Sequence, residues 1–323
     1  MLAASPLRGC TDKGMTVIVV SGEALMDVFA AGDSASGMAL DARIGGSPLN
    51  VAIGLARLQQ EAAFFGAVSS GFLGERLMRA LRDEGVSTVC TQRVEAPATL
   101  SLVGLDAHGV PSYAFYGHGA ADRALALPAL ADVPPAQAFH FGSYAMVVEP
   151  VAATQRALVE RECRRSIVAY DPNIRLNVEP DIERWRDTLR WMLPRTHVLK
   201  VSDEDLALLY PGADVTTLAR QWLAEGVRLV VVTRGVQGAL AFSAAHELGI
   251  APVVVNVIDT VGAGDTFQAA LLCALAERGW LSTTALSSLS EADLRAVLNF
   301  AVRAAAITCS RRGADMPRRA ELN

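Results

Sequence analysis

Lysine is scarce in this chain, and its scarcity limits the ways in which the protein could bind phosphate. Only Lys13 and Lys200 occur among the 323 residues, and neither follows a glycine. The chain therefore has no Gly-x-x-x-x-Gly-Lys-Ser/Thr phosphate loop. No Gly-x-Gly-x-x-Gly fingerprint follows a strand-like run either, which argues against a dinucleotide-dependent dehydrogenase on a doubly wound sheet.

Paired cysteines, long apolar runs and excess positive charge are also missing. The five cysteines are scattered and form no Cys-x-x-Cys pair, which favours a reducing cytoplasm and argues against a zinc site or disulfide framework. Apolar runs such as 17–20 and 229–232 are too short to span a bilayer, and no secretory signal is expected. The net charge of −5 offers no basic surface for nucleic acid.

Short apolar runs alternate with helical patterns over most of the chain. We predict strands at 16–21, 62–68, 138–141, 167–171, 197–201 and 229–233. We predict helices between them at 49–58, 72–84, 151–165, 181–193 and 215–225. This alternation predicts one α/β domain over residues 15–323, with a mostly parallel sheet covered by helices on both faces. Residues 1–14 are predicted to be a disordered extension.

Two segments interrupt this alternation, at about 26–44 and 99–117. Residues 99–105 and 112–116 are strand-like and joined through 106–109, which predicts an antiparallel hairpin. Residues 26–31 and 39–44 also resemble strands, with no helix between them. Together they could form a small sheet that acts as a lid and excludes water from a phosphoryl-transfer site. The alternative is an ordinary decoration of an α/β core.

The most informative motif is Asp-Thr-Val-Gly-Ala-Gly-Asp at residues 259–265. It places the Asp265 carboxylate beside the amides of Gly262, Ala263 and Gly264 at the predicted start of a helix. Free amides at a helix N-terminus attract anions. A carboxylate beside them could take a proton from an acceptor hydroxyl while the amides hold a phosphoryl group. The alternative role for Asp265 is that of a simple helix cap.

The residues around this motif suggest a strand, a tight turn and a helix. Val253, Val254, Val255 and Val257 are interpreted as a buried strand before the turn. Apolar residues at helical spacing follow the motif, and Gly279 is a predicted C-terminal stop.

A second glycine cluster, Gly-Gly-Ser-Pro-Leu-Asn at residues 45–50, also begins a predicted helix. Gly45 and Gly46 would let the backbone approach a ligand closely. Asn50 lies in the first turn, where its amide could bond hydroxyls. The structural alternative, compatible with this one, is a helix start with Ser47 as N-cap and Pro48 as first helical residue.

Segments 45–58 and 259–269 resemble the two signature segments of the ribokinase-like sugar kinases, the PfkB carbohydrate kinase family. The similarity runs from about residue 16 to residue 314. The resemblance implies a Rossmann-like αβα domain with a β-sheet lid. It also implies ATP as phosphoryl donor, Mg²⁺, and a homodimer paired through the lids.

The resemblance also implies residue roles. Asp265 matches the catalytic base, and Gly262, Ala263 and Gly264 match the anion hole. The sugar contacts would be Asp27, Gly45, Gly46 and Asn50. The nucleotide contacts would be Thr233, Gly235, Gly238 and, near the adenine, Asn299. Ligands of a monovalent cation such as K⁺ would be Asp259 and Thr260.

Two further segments carry weaker signals. The stretch from Lys200 to Asp205 resembles one that helps organise Mg²⁺ and phosphate, with Ser202 and Asp205 at the equivalent positions. The alternative is a capping box for a helix at 203–209. Arg175 follows a predicted strand end, where doubly wound sheets bind ligands, and its guanidinium could meet phosphate or substrate. The alternative is an ordinary surface arginine.

The sugar is less well defined by the sequence. The opening at 22–27 and the stretch 171–175 most resemble bacterial fructokinases, which implies conversion of fructose to fructose 6-phosphate. Gly117 stands where 2-keto-3-deoxygluconate kinases tend to have arginine, and this favours a neutral sugar because a buried carboxylate needs a partner. Fructokinases often carry that arginine too, so ribose, a nucleoside or 2-keto-3-deoxygluconate remain alternatives. A catalytically silent sugar or nucleotide sensor is another, against which the retained Asp265 argues.

Overall fold

The structure is a computed structural model that describes residues 16–105 and 111–322. The predicted disordered extension, residues 1–14, lies outside the described residues, as does the predicted hairpin connection at 106–109.

Most strands of the described chain fall where apolar runs predict them. In chain order they are β1 (Ile18–Ser21), β2 (Leu25–Ser34), β3 (Gly37–Gly45), β4 (Ala62–Phe65), β5 (Ala67–Ser69), β6 (Gln92–Val94), β7 (Leu100–Leu105), β8 (Pro111–Tyr116), β9 (Ala138–Gly142), β10 (Ile167–Asp171), β11 (Val198–Ser202), β12 (Leu229–Thr233), β13 (Ala239–Phe242) and β14 (Glu247–Ile250).

The five helices predicted at 49–58, 72–84, 151–165, 181–193 and 215–225 begin within two positions of their predicted starts. The helices of the described residues are α1 (Ser47–Arg57), α2 (Phe72–Asp83), α3 (Val151–Glu162), α4 (Ile182–Met192), α5 (Asp203–Leu209), α6 (Val215–Ala224), α7 (Ala263–Glu277), α8 (Thr283–Ser287) and α9 (Glu291–Cys309). None is both long and apolar enough to cross a membrane.

The large sheet has eight strands in the order β14-β13-β12-β11-β10-β9-β1-β4. Its strands from β12 to β4 run parallel, and β13 and β14 form an antiparallel edge. The parallel strands are almost entirely buried because helices cover both faces, so their sequences are continuous apolar runs. One hydrophobic cluster packs the sheet against α1, α2, α7 and α9, and a second packs it against α3 to α6. The predicted α/β architecture, a mostly parallel sheet covered by helices on both faces, is confirmed.

A separate four-stranded sheet has the order β3-β2-β7-β8, with β7 and β8 forming the predicted antiparallel hairpin. Strand alternation gives it two different faces. In β2, Asp27 and Phe29 line a cleft, whereas Met26 and Val28 join the core. The small sheet therefore contributes one wall of the cleft.

Two strand predictions were wrong. The predicted strand 62–68 divides at Gly66, so that β4 pairs in the large sheet and β5 pairs with β6. A Cβ at Gly66 would lie 2.5 Å from the carbonyl oxygen of Gly22, a close backbone approach that suits a break in the strand. The valines at 253–257 form no strand, and Val254 is 93% exposed. They form an extended segment that lines the cleft.

Candidate active site

A cleft of about 940 Å³ lies between the small sheet and the large sheet. Five of its lining residues lie at or just after the carboxyl ends of five neighbouring parallel strands. They are Glu23 (β1), Ser143 (β9), Asn173 (β10), Ser202 (β11) and Thr233 (β12). Ligands of doubly wound sheets bind at this edge of the sheet.

Asp265 lies in the first turn of α7, lines the cleft and is 9% exposed. Two side chains from the start of α1 hold its carboxylate: Ser47 donates to Oδ1 at 2.6 Å and Asn50 donates to Oδ2 at 2.8 Å. The simple helix-cap role is wrong, because Gly262 is the N-cap of α7. The two glycine clusters thus meet at one carboxylate, which faces the cleft in a fixed orientation.

The predicted anion hole is the turn that begins α7. Gly262 adopts a left-handed conformation, with φ of 76°, and a Cβ there would lie 2.5 Å from the Cβ of Ala314. Ala263 donates its amide to the Thr260 carbonyl at 3.2 Å, whereas the amides of Gly264 and Asp265 have no backbone acceptor among the described residues. Free amides at a helix N-terminus favour an anion.

Lys200 adds a positive charge beside this turn. A Cβ on Gly264 would lie 3.2 Å from Nζ of Lys200, and that nitrogen forms a buried 2.7 Å ion pair with Asp171. Burial raises the pKa of Asp171 to about 6, against the opposing effect of Lys200. Burial disfavours the lysine charge, but the attractions of Asp171, Asp205 and Asp265 together outweigh it and raise the pKa of Lys200. The lysine therefore stays charged and could meet a phosphate.

The remaining predicted sugar contacts differ in how they meet the cleft. Gly45 does not line it, but a Cβ there would lie 2.1 Å from Oδ2 of Asp27, so the absent side chain leaves room for that carboxylate. Gly46 does line it, and its φ of 104° suits glycine. Burial raises the pKa of Asp27, although a hydrogen bond from Ser101 opposes this. Arg175 is exposed but lines the cleft.

The predicted nucleotide residues divide into two groups. Thr233, Gly235 and Gly238 line the cleft, and a Cβ on Gly238 would lie 2.0 Å from the carbonyl oxygen of Ile250. Asn299 is exposed and is not among the lining residues, so its place near the adenine stays a prediction. The next turns of α9 present smaller side chains to the cleft instead, including Ala305.

The predicted metal ligands are engaged in backbone contacts. Asp205 accepts a 3.0 Å hydrogen bond from the amide of Ile174, while Ser202 caps α5, so only half of the predicted capping box forms. Asp259 accepts from the amides of Val261 and Gly313. Thr260 lines the cleft and is exposed. No group of three or more His, Cys, Asp or Glu residues in the described chain could hold a metal ion.

Sequence analysis missed several residues of this cleft. Ser143 and Asn173 have positive φ values of 57° and 42°, which are uncommon outside glycine and cluster at functional sites. The Nδ2 atom of Asn173 and the Oε2 atom of Glu23 are buried without a hydrogen-bond partner. Ser47 was considered only as an N-cap, but Gly46 holds that position. Proximity to the glycine cluster was the one available signal for Ser47.

Arg123 lies beside Gly117, the position at which 2-keto-3-deoxygluconate kinases tend to have an arginine. A Cβ on Gly117 would lie 3.2 Å from Nη2 of Arg123. The Arg123 guanidinium lies over the rings of Phe115 and Tyr144, at 5.6 and 5.9 Å from their centroids. Both rings line the cleft, but Arg123 does not. The guanidinium therefore supports the aromatic wall from behind.

Residues 15–320 match the family model of the pfkB family carbohydrate kinases. The chain belongs to this family. A similar curated relative is the fructokinase of Rhizobium leguminosarum bv. trifolii, 33% identical over 280 residues, which are 86% of each chain. As a member of this family, the chain is an ATP-dependent sugar kinase.

Solved structures of family members have the same fold. The fructokinase of Xylella fastidiosa with bound ATP superposes with a TM-score of 0.86 at 27% identity, covering 95% of this chain and 97% of that one. The fructokinase of Vibrio cholerae O395, in its fructose, ADP and calcium ion bound form, gives a TM-score of 0.80 at 26% identity and covers 95% and 98%.

Proposed function

We propose that the protein transfers the γ-phosphoryl group of ATP to fructose and forms fructose 6-phosphate. The observation that carries this proposal is the position of Asp265, fixed by Ser47 and Asn50 at the start of α7 and facing the cleft. The fructokinases of Rhizobium leguminosarum and Vibrio cholerae support the choice of fructose, as relatives at 33% and 26% identity.

The chemistry follows from the arrangement of these groups. Asp265 accepts the proton of the attacking primary hydroxyl late in the transfer, when that hydroxyl has become acidic. The free amides of Gly264 and Asp265, together with Lys200, stabilise the charge on the equatorial phosphoryl oxygens. The hydrogen bonds from Ser47 and Asn50 hold the base in line with the hydroxyl, and positioning is a large part of such catalysis.

The acidic residues that line the cleft near α5 suit Mg²⁺ held through water. Mg²⁺ usually keeps several waters and takes few carboxylates besides substrate phosphates. Asp205 and Glu204 line the cleft, and no cluster of three ligands occurs among the described residues. When bound, Mg²⁺ would neutralise charge on the phosphates. Asp259 and Thr260 would hold a monovalent cation such as K⁺ next to the anion hole.

The small sheet is proposed to act as a lid, with segments 26–44 and 99–117 closing over the sugar. Its outer surface exposes Met38 and Leu40, which are 60% and 52% exposed. Such apolar side chains on an open sheet favour association, so we propose a homodimer paired through the lids. Sedimentation of the wild type and of a Met38→Lys, Leu40→Lys double variant tests this pairing.

A coupled assay of ADP formation tests the activity. It would compare fructose, ribose, 2-keto-3-deoxygluconate and nucleosides at several concentrations, with Mg²⁺ and with or without K⁺. The proposal expects the highest kcat/KM with fructose. A higher kcat/KM with another sugar would reassign the substrate, and ATP binding without turnover on any sugar would indicate a sensor.

A further inference from the structure

One acidic side chain near the proposed sugar contacts has no role in the mechanism above. Glu23 lies between β1 and β2, at the junction of the large sheet and the lid, and is 1% exposed. It lines the cleft together with Asp27, Ser143 and Arg175. A carboxyl group so thoroughly buried is rare unless it is paired.

The protein supplies hydrogen-bond partners for only part of the Glu23 carboxyl group. Hydrogen bonding with the side chain of Ser143 and with the backbone of Glu23 itself lowers the pKa of this group, against the larger effect of burial. Its Oε2 atom, however, is buried and has no hydrogen-bond partner in the described chain. A buried polar atom without a partner is costly, so such an atom in a cleft wall indicates a ligand group that completes it.

The charges around Glu23 do not compensate for its burial. Asp122 repels a negative charge there, Arg175 attracts it, and the hydroxyl of Tyr144 is a further titratable group that interacts with it. Burial is the largest effect and raises the pKa of Glu23 to about 8. At neutral pH the group is therefore a neutral acid that carries a proton to donate.

Ser143, the neighbour of Glu23 in the cleft, has an unusual backbone conformation. Its φ of 57° is unusual for a residue other than glycine, and its amide is donated to the carbonyl of Asp171 at 3.2 Å. The strained backbone holds the hydroxyl against Glu23 at the end of β9. Backbone strain of this kind persists only where the surrounding structure enforces it, and it clusters at functional sites.

We propose that Glu23 is a specificity-determining residue that binds the sugar directly, by donating a hydrogen bond from its unpaired oxygen to a sugar oxygen. The proposal rests on the proposed function, because it concerns the sugar site of that reaction. The ligand group is an uncharged acceptor oxygen, such as a hydroxyl or the ring oxygen of a neutral sugar. Asp27, on the adjoining strand, would accept from the sugar hydroxyls on the same side.

The first test compares Glu23→Gln and Glu23→Ala in the coupled assay. The glutamine keeps a donor of similar shape, so KM for fructose should stay within about threefold of wild type. The alanine removes the donor and should raise that KM at least about tenfold, with KM for ATP changed less than about twofold. Glu162→Ala is the matched control, since Glu162 is also a buried acid but does not line the cleft.

The second test uses pH and needs no alanine variant, which covers the case in which Glu23→Ala does not fold. If only the neutral acid binds sugar, KM for fructose in the wild type rises about tenfold from about pH 7 to about pH 9. The Glu23→Gln variant should show no such rise. An equal rise in both proteins, or an unchanged KM in a folded Glu23→Ala variant, would overturn the proposal.

These outcomes are separable from failure of the proposed function. A wild type inactive on fructose but active on another sugar moves both tests to that sugar, where the same changes in KM are expected. A wild type with no activity on any sugar refutes the kinase reaction, and calorimetric binding of fructose by the wild type and both variants then decides whether Glu23 binds sugar.

Discussion

The side-chain amide of Asn50 donates a 2.8 Å hydrogen bond to Oδ2 of Asp265, although 215 residues separate the two in sequence. Ser47 donates to the other oxygen at 2.6 Å. Since α1 begins with these residues and α7 begins at Ala263, the bonds join two helix N-termini across the cleft floor. The Asp265 carboxylate is therefore oriented by a helix other than its own.

Loss of the Asn50 amide should weaken catalysis more than binding. Asn50→Ala frees one carboxylate oxygen of Asp265, and displacement of a reacting group by about 1 Å can cost about a hundredfold in rate. We expect kcat to fall about 10- to 100-fold with a smaller change in KM for ATP. Steady-state kinetics measure both, with Gln221→Ala as control, because Gln221 is an exposed amide on α6. An unchanged kcat would contradict the orienting role.

Removal of the Asp171 carboxylate should destabilise the protein, because the buried Lys200 ammonium then lacks its ion-pair partner. Breaking a buried pair by deleting one partner costs about 3–5 kcal/mol. Urea unfolding of Asp171→Asn should show a loss in that range. Arg295→Gln is the control, since it breaks an exposed pair with Glu291 and should cost less than about 1 kcal/mol. Equal losses in the two variants would contradict the importance of the buried pair.

Alanine substitutions at Gly238 and Gly279 distinguish the cost of backbone strain from the cost of steric collision. Both have positive φ, 82° and 69°, but a Cβ on Gly238 would lie 2.0 Å from the carbonyl oxygen of Ile250, whereas one on Gly279 meets nothing within 4 Å. Gly279→Ala should cost only about 1 kcal/mol, for strain. Gly238→Ala should lower Tm further and raise KM for ATP, because its loop lines the cleft. Similar Tm values for the two variants would contradict the collision.

The protonation of Glu23 predicts a pH dependence of stability. Its pKa is about 8 in the folded protein against an ordinary value of 4.5, so between these values the folded state binds more protons than the unfolded state. Stability from this group is complete below the lower value and is lost as the pH rises through the higher one. Thermal unfolding should show a smaller loss of Tm over this range in Glu23→Gln than in wild type. Parallel curves would contradict the raised pKa.

Local sequence patterns were sufficient to predict most of the scaffold. The strands Ile167–Asp171 and Leu229–Thr233 and the helix Asp203–Leu209 have their predicted bounds. These elements are bounded by turn and cap residues and have regular apolar spacing, which are local properties. The strand predicted for the valines at 253–257 is wrong, because these apolar residues line a cleft and are not buried in a sheet.

The sequence predicted only the part of the site that lies within one short motif. Asp265 and the turn at Gly262 are adjacent in sequence, so their relation is local. The bonds from Ser47 and Asn50 require the packing of α1 against α7. The protonation of Glu23 depends on its burial in the folded protein and on Ser143, which no local pattern encodes. Asn299 was assigned by resemblance alone, and the α9 residues that line the cleft, such as Ala305, come later in the helix.

The most direct test of the account is the turnover of Asp265→Asn. Asparagine has the same size but cannot accept the proton, so isothermal titration should show binding of fructose and ATP close to wild type. Single-turnover transfer should fall by about a thousandfold or more, within the range for loss of a general base and its electrostatic contribution. Turnover within about tenfold of wild type, with intact binding, would contradict the role of Asp265 as the base.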